Sequence, residues 1–121
     1  MPAVLWWLAL EKVVAENSQV CMRIAGADRS FATTTAGEKL SAYEEIYWYL
    51  REVGEDEQRR KILNLCSRYG VNHEQLCRNE ALSWAQLREL AADPLVTIGA
   101  HTVNHAALAK LPEDAAEREI T

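Results

Sequence analysis

The apolar run Leu95-Val96-Thr97-Ile98-Gly99-Ala100 is followed at once by His101-Thr102-Val103-Asn104-His105. The apolar run predicts a short buried strand. Two imidazoles that leave the end of a strand can point into a shared cleft, and imidazole suits Zn²⁺ and similar divalent ions. The sequence therefore predicts two metal ligands, His101 and His105, with the Thr102 hydroxyl available to orient the loop or a histidine.

Two other interpretations of the histidine pair stay open. An isolated H-x-x-x-H is common, and ordinary loop histidines without a metal would produce it. The i, i+4 spacing would also align both rings on one face of a helix, as in a helical bundle that binds metal. The strand before His101 favours a loop at a strand's C-terminal end, where barrel enzymes place catalytic groups. Catalytic zinc usually takes three protein ligands, so two histidines make an incomplete site.

Size and charge restrict the class of protein. The chain has 121 residues, a net charge of −5, 49% hydrophobic and 26% charged residues, which suits one soluble globular domain. Without a basic stripe, this charge argues against nucleic acid as a partner. Cys21, Cys66 and Cys77 are an odd number with no C-x-x-C pair, so no disulfide framework is indicated. The spacing of Cys66, His73 and Cys77 matches no structural zinc pattern.

The apolar segment at 3–10 is too short to cross a bilayer, and Glu11 and Lys12 follow it. It has no basic region before it and no convincing cleavage site, so it does not have the form of a signal peptide. The sequence thus predicts no membrane span and gives no indication of localisation.

Local patterns predict mostly helices. Thr35/Glu38 and Ser83/Gln86 have capping-box spacing, and Asn72/Gln75 repeats it. The predicted elements are a helix over 4–16, a hairpin with strands over 19–24 and 29–34, a helix from the first box to Gly54, a helix over 56–69 closed by Gly70, a short helix over 72–76, a helix from Ser83 to Asp93-Pro94, and a helix from Pro112 onward. The helix after Ser83 is expected to turn Trp84, Leu87, Leu90 and Ala91 inward.

The segment PLVTIGAHTVNHAALAKL at 94–111 closely resembles the second signature motif, His-Thr/Ser-x-x-His, of the polysaccharide deacetylases, the NodB-type carbohydrate esterases. The resemblance is strongest over 82–120, where Ser83 to Leu90 resembles the helix before this motif. Residues 1–81 resemble the insertion that some members carry between their first two motifs. The expected organisation is therefore a helical segment with a hairpin over 1–81 and a partial deacetylase barrel over 82–121.

The resemblance implies a metal-dependent hydrolase that removes acetyl groups from carbohydrate. The predicted elements give a mainly α fold with minor β structure (one hairpin, one short strand), and the resemblance implies that this fold is a fragment of a distorted (β/α) barrel with a helical insertion. In the family the two histidines are metal ligands and an aspartate completes the triad. Only His101 and His105 carry over, because no paired-aspartate run precedes them. The expectation is a fragment with an incomplete site for a divalent metal, zinc by preference, and no catalytic residue of its own. Such a fragment should be inactive alone and should self-associate through exposed apolar surface.

The main alternative from another class is a non-catalytic helical interaction domain in which H-x-x-x-H is fortuitous. The Trp- and Tyr-rich helix faces suit either interpretation, since aromatic stripes mark both cores and interfaces.

Overall fold

The computed structural model describes residues 4–120, and over that range the chain is mainly helical with one antiparallel hairpin. The elements are α1 (Trp6–Glu16), β1 (Gln19–Ile24), β2 (Ala27–Ala32), α2 (Ala36–Glu52), α3 (Glu55–Tyr69), α4 (His73–Glu80), α5 (Trp84–Ala91), a 3₁₀ turn (Leu108–Lys110) and α6 (Glu113–Ile120). None of the helices described is both long and apolar enough to cross a membrane. The coarse prediction of a mainly α fold with a hairpin is confirmed.

The hairpin closes through a two-residue turn at Ala25-Gly26. Both residues have positive φ, 49° and 81°, which two-residue hairpin turns of the primed types require. Val20 pairs with Phe31 across the sheet, and both are buried. Because the turn is so short, β2 begins at Ala27, two residues before the predicted strand.

The predicted helix ends are confirmed where a side chain or a glycine marks them. Both capping boxes form, at Thr35/Glu38 and at Ser83/Gln86. The backbone N–H of Gln75 donates to the Asn72 side chain at the start of α4. Gly70 ends α3 with a left-handed φ of 69°, the conformation that favours glycine.

The core lies where α1 packs against α2 and α3, with the hairpin closing one side. Every buried residue in the part of the chain that the structure describes falls between Val4 and Val71. Gln58 is buried with 6% of its surface exposed, and its side-chain amide donates to the Leu50 carbonyl over 2.8 Å. This hydrogen bond satisfies a carbonyl near the end of α2 that has no partner within the helix.

Side chains of α3 cover the free edge of β1. The backbone N–H of Cys21 donates to the Tyr69 hydroxyl over 2.6 Å, and Arg68 donates to the Cys21 carbonyl over 3.1 Å. Lys61 donates to the Arg23 carbonyl over 2.9 Å. An uncovered strand edge invites pairing with another chain, so these bonds both satisfy β1 and block that pairing.

The predicted short strand at 95–100 is wrong. The segment is irregular and exposed, with Leu95 at 93%. A strand needs a neighbour for its backbone groups, and the sheet that the described residues form is the two-stranded hairpin, with which this segment does not pair. The predicted inward face of α5 is also wrong: Trp84 is 76% exposed, and no residue of α5 is buried.

Candidate metal centre

His101 and His105 lie side by side outside any helix. Their ring centroids are 4.9 Å apart, with the planes inclined by 64°. Two imidazoles bound to one tetrahedral zinc at the usual Zn–N length place their centroids about 5 Å apart. The observed separation is compatible with a shared divalent ion. Because neither residue is helical, the helical-bundle interpretation of this pair is wrong.

A row of aromatic rings connects the histidines to the core helices. His105 lies 4.8 Å from the Trp7 ring, and Trp7 meets Trp6 edge to face at 6.0 Å. Trp6 in turn stacks on Tyr47 of α2 at 5.0 Å. Offset and edge-to-face aromatic pairs are favourable, so this row fixes the His105 ring against α1. The sequence did not reveal it, because α1 and the histidines are far apart along the chain.

Hydrogen bonds hold the histidine loop to α6 and α3. Asn104 donates to the Glu119 carboxylate from its backbone N–H, at 2.8 Å, and from its side-chain amide, at 2.5 Å. The N–H of Val103 donates to the Glu119 carbonyl, and that of Ala107 donates to the Glu55 carboxylate. The hydrogen bond from the Asn104 side chain lowers the pKa of Glu119 most, and the bond from the Asn104 backbone N–H lowers it further. The ionised carboxylate is therefore the form that anchors the loop.

The loop backbone is strained next to the histidines. Thr102 has φ of 66° and His105 has φ of 59°. A β-branched residue such as threonine rarely adopts positive φ, and each such residue costs about 1–3 kcal/mol. The Thr102 hydroxyl oxygen is buried without a hydrogen-bond partner among residues 4–120. Strained backbone and unpartnered buried polar atoms both cost stability and tend to occur at functional sites. Their occurrence together in this loop therefore indicates a functional role for it.

The histidines open onto a cleft of about 810 Å³. Its lining combines aromatic rings of α1 and α2 with polar groups of α2 and α3: Trp6, Trp7, Tyr43, Tyr47, Arg51, Glu55 and Gln58. Pockets of this size with apolar walls and a few polar groups commonly bind small molecules. The cleft volume exceeds the space that a metal ion between the two histidines would occupy, so it has room for a small molecule as well.

A complete metal site does not form within the described residues. Over 4–120, no group of three or more His, Cys, Asp and Glu side chains is close enough to hold a metal. Cys66 belongs to the hydrophobic core, where burial raises the pKa of its thiol. The two imidazoles could occupy two positions of a metal site, and a catalytic zinc, which usually takes three protein ligands, would need a third.

Comparison of the chain with models of known protein families, with curated proteins and with solved structures finds no match. The link to the polysaccharide deacetylases therefore depends on the residues around His101 and His105. A function for the chain has to be argued from those residues and the cleft beside them.

Proposed function

We propose that this chain is a segment of a metal-dependent polysaccharide deacetylase-like hydrolase and supplies two ligands, His101 and His105, for a divalent ion, preferably zinc. The supporting observation is the 4.9 Å separation of the two rings at the cleft. When bound, such an ion polarises a carbonyl and lowers the pKa of a bound water, which suits hydrolysis of an acetyl group.

The residues of this chain then have binding and positioning roles. Each imidazole would coordinate the ion through a ring nitrogen, and Trp7 holds the His105 ring in place. Glu119 anchors the loop through Asn104. The aromatic wall of the cleft faces the acetylated carbohydrate. In enzymes of that family an aspartate completes the ligand set and another acts as base, and neither is matched in this sequence, so we expect the chain alone to be inactive.

The distribution of burial supports the proposed division at residues 81 and 82, although burial already ends at Val71. The buried residues lie between Val4 and Val71, within the helical segment, and no described residue beyond Val71 is buried. A barrel segment without the rest of its sheet would leave its apolar residues exposed in this way. The irregular form of 95–100 fits the same proposal, because a barrel strand separated from its neighbours cannot satisfy its backbone.

Zinc titration by calorimetry tests the proposal. We expect saturable binding weaker than micromolar, lost in His101→Ala and in His105→Ala. The matched control is His73→Ala, which removes a histidine outside the cleft and should leave the titration unchanged. No binding, or equal binding by the His101→Ala protein, would overturn the assignment of the ligands. Turnover of an acetylated sugar by the chain alone, abolished by His101→Ala, would refute the claim that it is inactive alone.

A second candidate function is a non-catalytic helical interaction domain. It is favoured by large apolar side chains exposed beyond Glu80: Leu82, Trp84, Leu90, Leu95, Ile98 and Val103. Exposed apolar side chains commonly mark contacts between proteins where they form one continuous patch. We expect the chain to self-associate in light scattering, and a strictly monomeric mass at high concentration would contradict this. The zinc titration separates the candidates, because an interaction domain needs no metal.

A further inference from the structure

A second cleft, of about 600 Å³, lies between the hairpin and α3 and has a strongly cationic lining. The charged residues that line it are Arg23, Arg29, Arg60, Lys61 and Arg68, with Asp28 as the single carboxylate. The chain as a whole has 18 acidic and 13 basic residues, so five of its 13 cations gather at one place against the overall charge. This cleft shares no lining residue with the histidine cleft.

The cations reach the cleft from the hairpin on one side and from α3 on the other. Arg60, Asn64 and Arg68 are four residues apart on α3, so they lie along one face of that helix on successive turns. Arg23 reaches the cleft from β1. Lys61 and Arg68 donate to carbonyls of β1, and these bonds hold helix and hairpin at a fixed separation. The cleft is therefore built from regular elements instead of mobile loops.

The carboxylates nearby neutralise this charge only in part. Arg29 is paired closely with Glu45, at 2.6 Å. Arg23 lies 3.9 Å from Asp28, and Lys61 lies 3.6 Å from Glu57, at the outer limit of an ion pair. Arg60 is exposed and has no ion pair within residues 4–120. Like charges that gather without matching acids repel each other, and a bound anion would relieve that repulsion.

We propose that this cleft binds a small anion with several phosphoryl groups, such as a condensed phosphate or the polyphosphate part of a nucleotide. Guanidinium groups form bidentate bonds to phosphate oxygens, and arginine supplies four of the five cations. Arg60 and Arg68 are eight residues apart, which on a helix is about 12 Å between their Cα atoms, and their long side chains can converge from that distance on two or three linked phosphoryl groups. The Asn64 amide lies between them and can donate to the middle of such an anion.

Calorimetric titration with inorganic tripolyphosphate tests this site. We expect saturable one-to-one binding that strengthens from orthophosphate to pyrophosphate to tripolyphosphate, because longer anions reach more of the cations. Arg60→Gln should weaken tripolyphosphate binding by about tenfold, the loss of one charge-assisted contact, and Arg60→Gln with Arg68→Gln should weaken it further. Adenosine triphosphate serves as a second probe, and tighter binding than tripolyphosphate would identify a nucleotide as the ligand.

The matched control is Arg78→Gln, which removes an exposed arginine from α4, outside both clefts. It should leave tripolyphosphate binding within about twofold, because long-range charge effects at the surface are screened. Arg60 is exposed, so its substitution should preserve the fold, and the thermal midpoint of each variant verifies this. Absence of saturable binding, or an equal loss in the Arg78→Gln protein, would overturn the proposal. His101→Ala should leave this binding intact, so the result is independent of the metal site.

Discussion

The imidazole of His105 lies against the indole of Trp7, with ring centroids 4.8 Å apart and planes inclined by 45°. The two residues come from nearly opposite ends of the chain. Trp7 belongs to α1, whose inner face is part of the buried core. One of the two candidate metal ligands, His105, is therefore positioned by a helix that also contributes to the buried core.

Replacing Trp7 with alanine should release the histidine loop. The contact of its ring with His105 is worth about 0.5–1.5 kcal/mol, the range for aromatic pairs. We expect faster hydrogen exchange at the Val103 and Ala107 amides in Trp7→Ala, with a smaller effect on α3. Trp84→Ala is the control, because that indole is 76% exposed. Unchanged exchange at 103–107 in Trp7→Ala would contradict this role.

Lys39 should stabilise the fold by closing the end of α1. Its ammonium donates to the carbonyls of Val14, Ala15 and Asn17 at 3.0, 2.7 and 3.1 Å. A cation at a helix C-terminus satisfies free carbonyls and interacts favourably with the helix dipole. We expect Lys39→Met to lower the free energy of unfolding in urea by about 1–2 kcal/mol.

Lys12→Met is the matched control for Lys39. Lys12 forms an exposed i, i+4 pair with Glu16 on the same helix, and such pairs contribute about 0.3–0.5 kcal/mol. An equal loss of unfolding free energy in Lys39→Met and Lys12→Met would contradict the capping role of Lys39.

Replacing Gln58 with leucine should lower the free energy of unfolding. Its buried amide donates to the Leu50 carbonyl, which would lose its partner in a place that water does not reach. An unsatisfied buried polar group costs about 1–3 kcal/mol, and urea unfolding should show a loss of that size. Gln75→Leu is the control, because the Gln75 side chain bonds Asn79 at the exposed surface. Equal stability of Gln58→Leu and the unchanged protein would refute the argument.

Acid should detach the histidine loop from α6. Hydrogen bonds from Asn104 lower the pKa of Glu119 below its ordinary 4.5. Because the pKa of Glu119 is lower in the folded protein, the stabilisation from the Asn104–Glu119 hydrogen bonds is fully present above pH 4.5. It is lost as the pH falls through the folded-state pKa of Glu119. We expect the Glu119 carboxyl signal in NMR to titrate with a midpoint below 4.5. Asn104→Ala should move that midpoint toward 4.5, and an unchanged midpoint in that variant would mean that Asn104 does not lower the pKa of Glu119.

Local signals in the sequence predicted the secondary structure well where one or two residues fix the backbone. The capping boxes at Thr35 and Ser83 and the left-handed Gly70 all lie where the sequence predicts them. Each of these depends on hydrogen bonds or φ values within a few residues. The strand at 95–100 failed for the opposite reason, since apolar residues make a strand only beside a partner.

The features of the candidate site also separate into those that local sequence predicts and those that depend on distant residues. The residue pattern alone was enough to identify two candidate metal ligands, imidazoles four residues apart, and to predict the helix ends that a few neighbouring residues control. Only the tertiary structure decided that Trp7 holds His105, that Glu119 clasps the loop, and that cations from the hairpin and α3 share one cleft. Caps and turns are settled by atoms that are neighbours along the chain. Clefts depend on which distant surfaces pack together, and that is set by burial of the whole core.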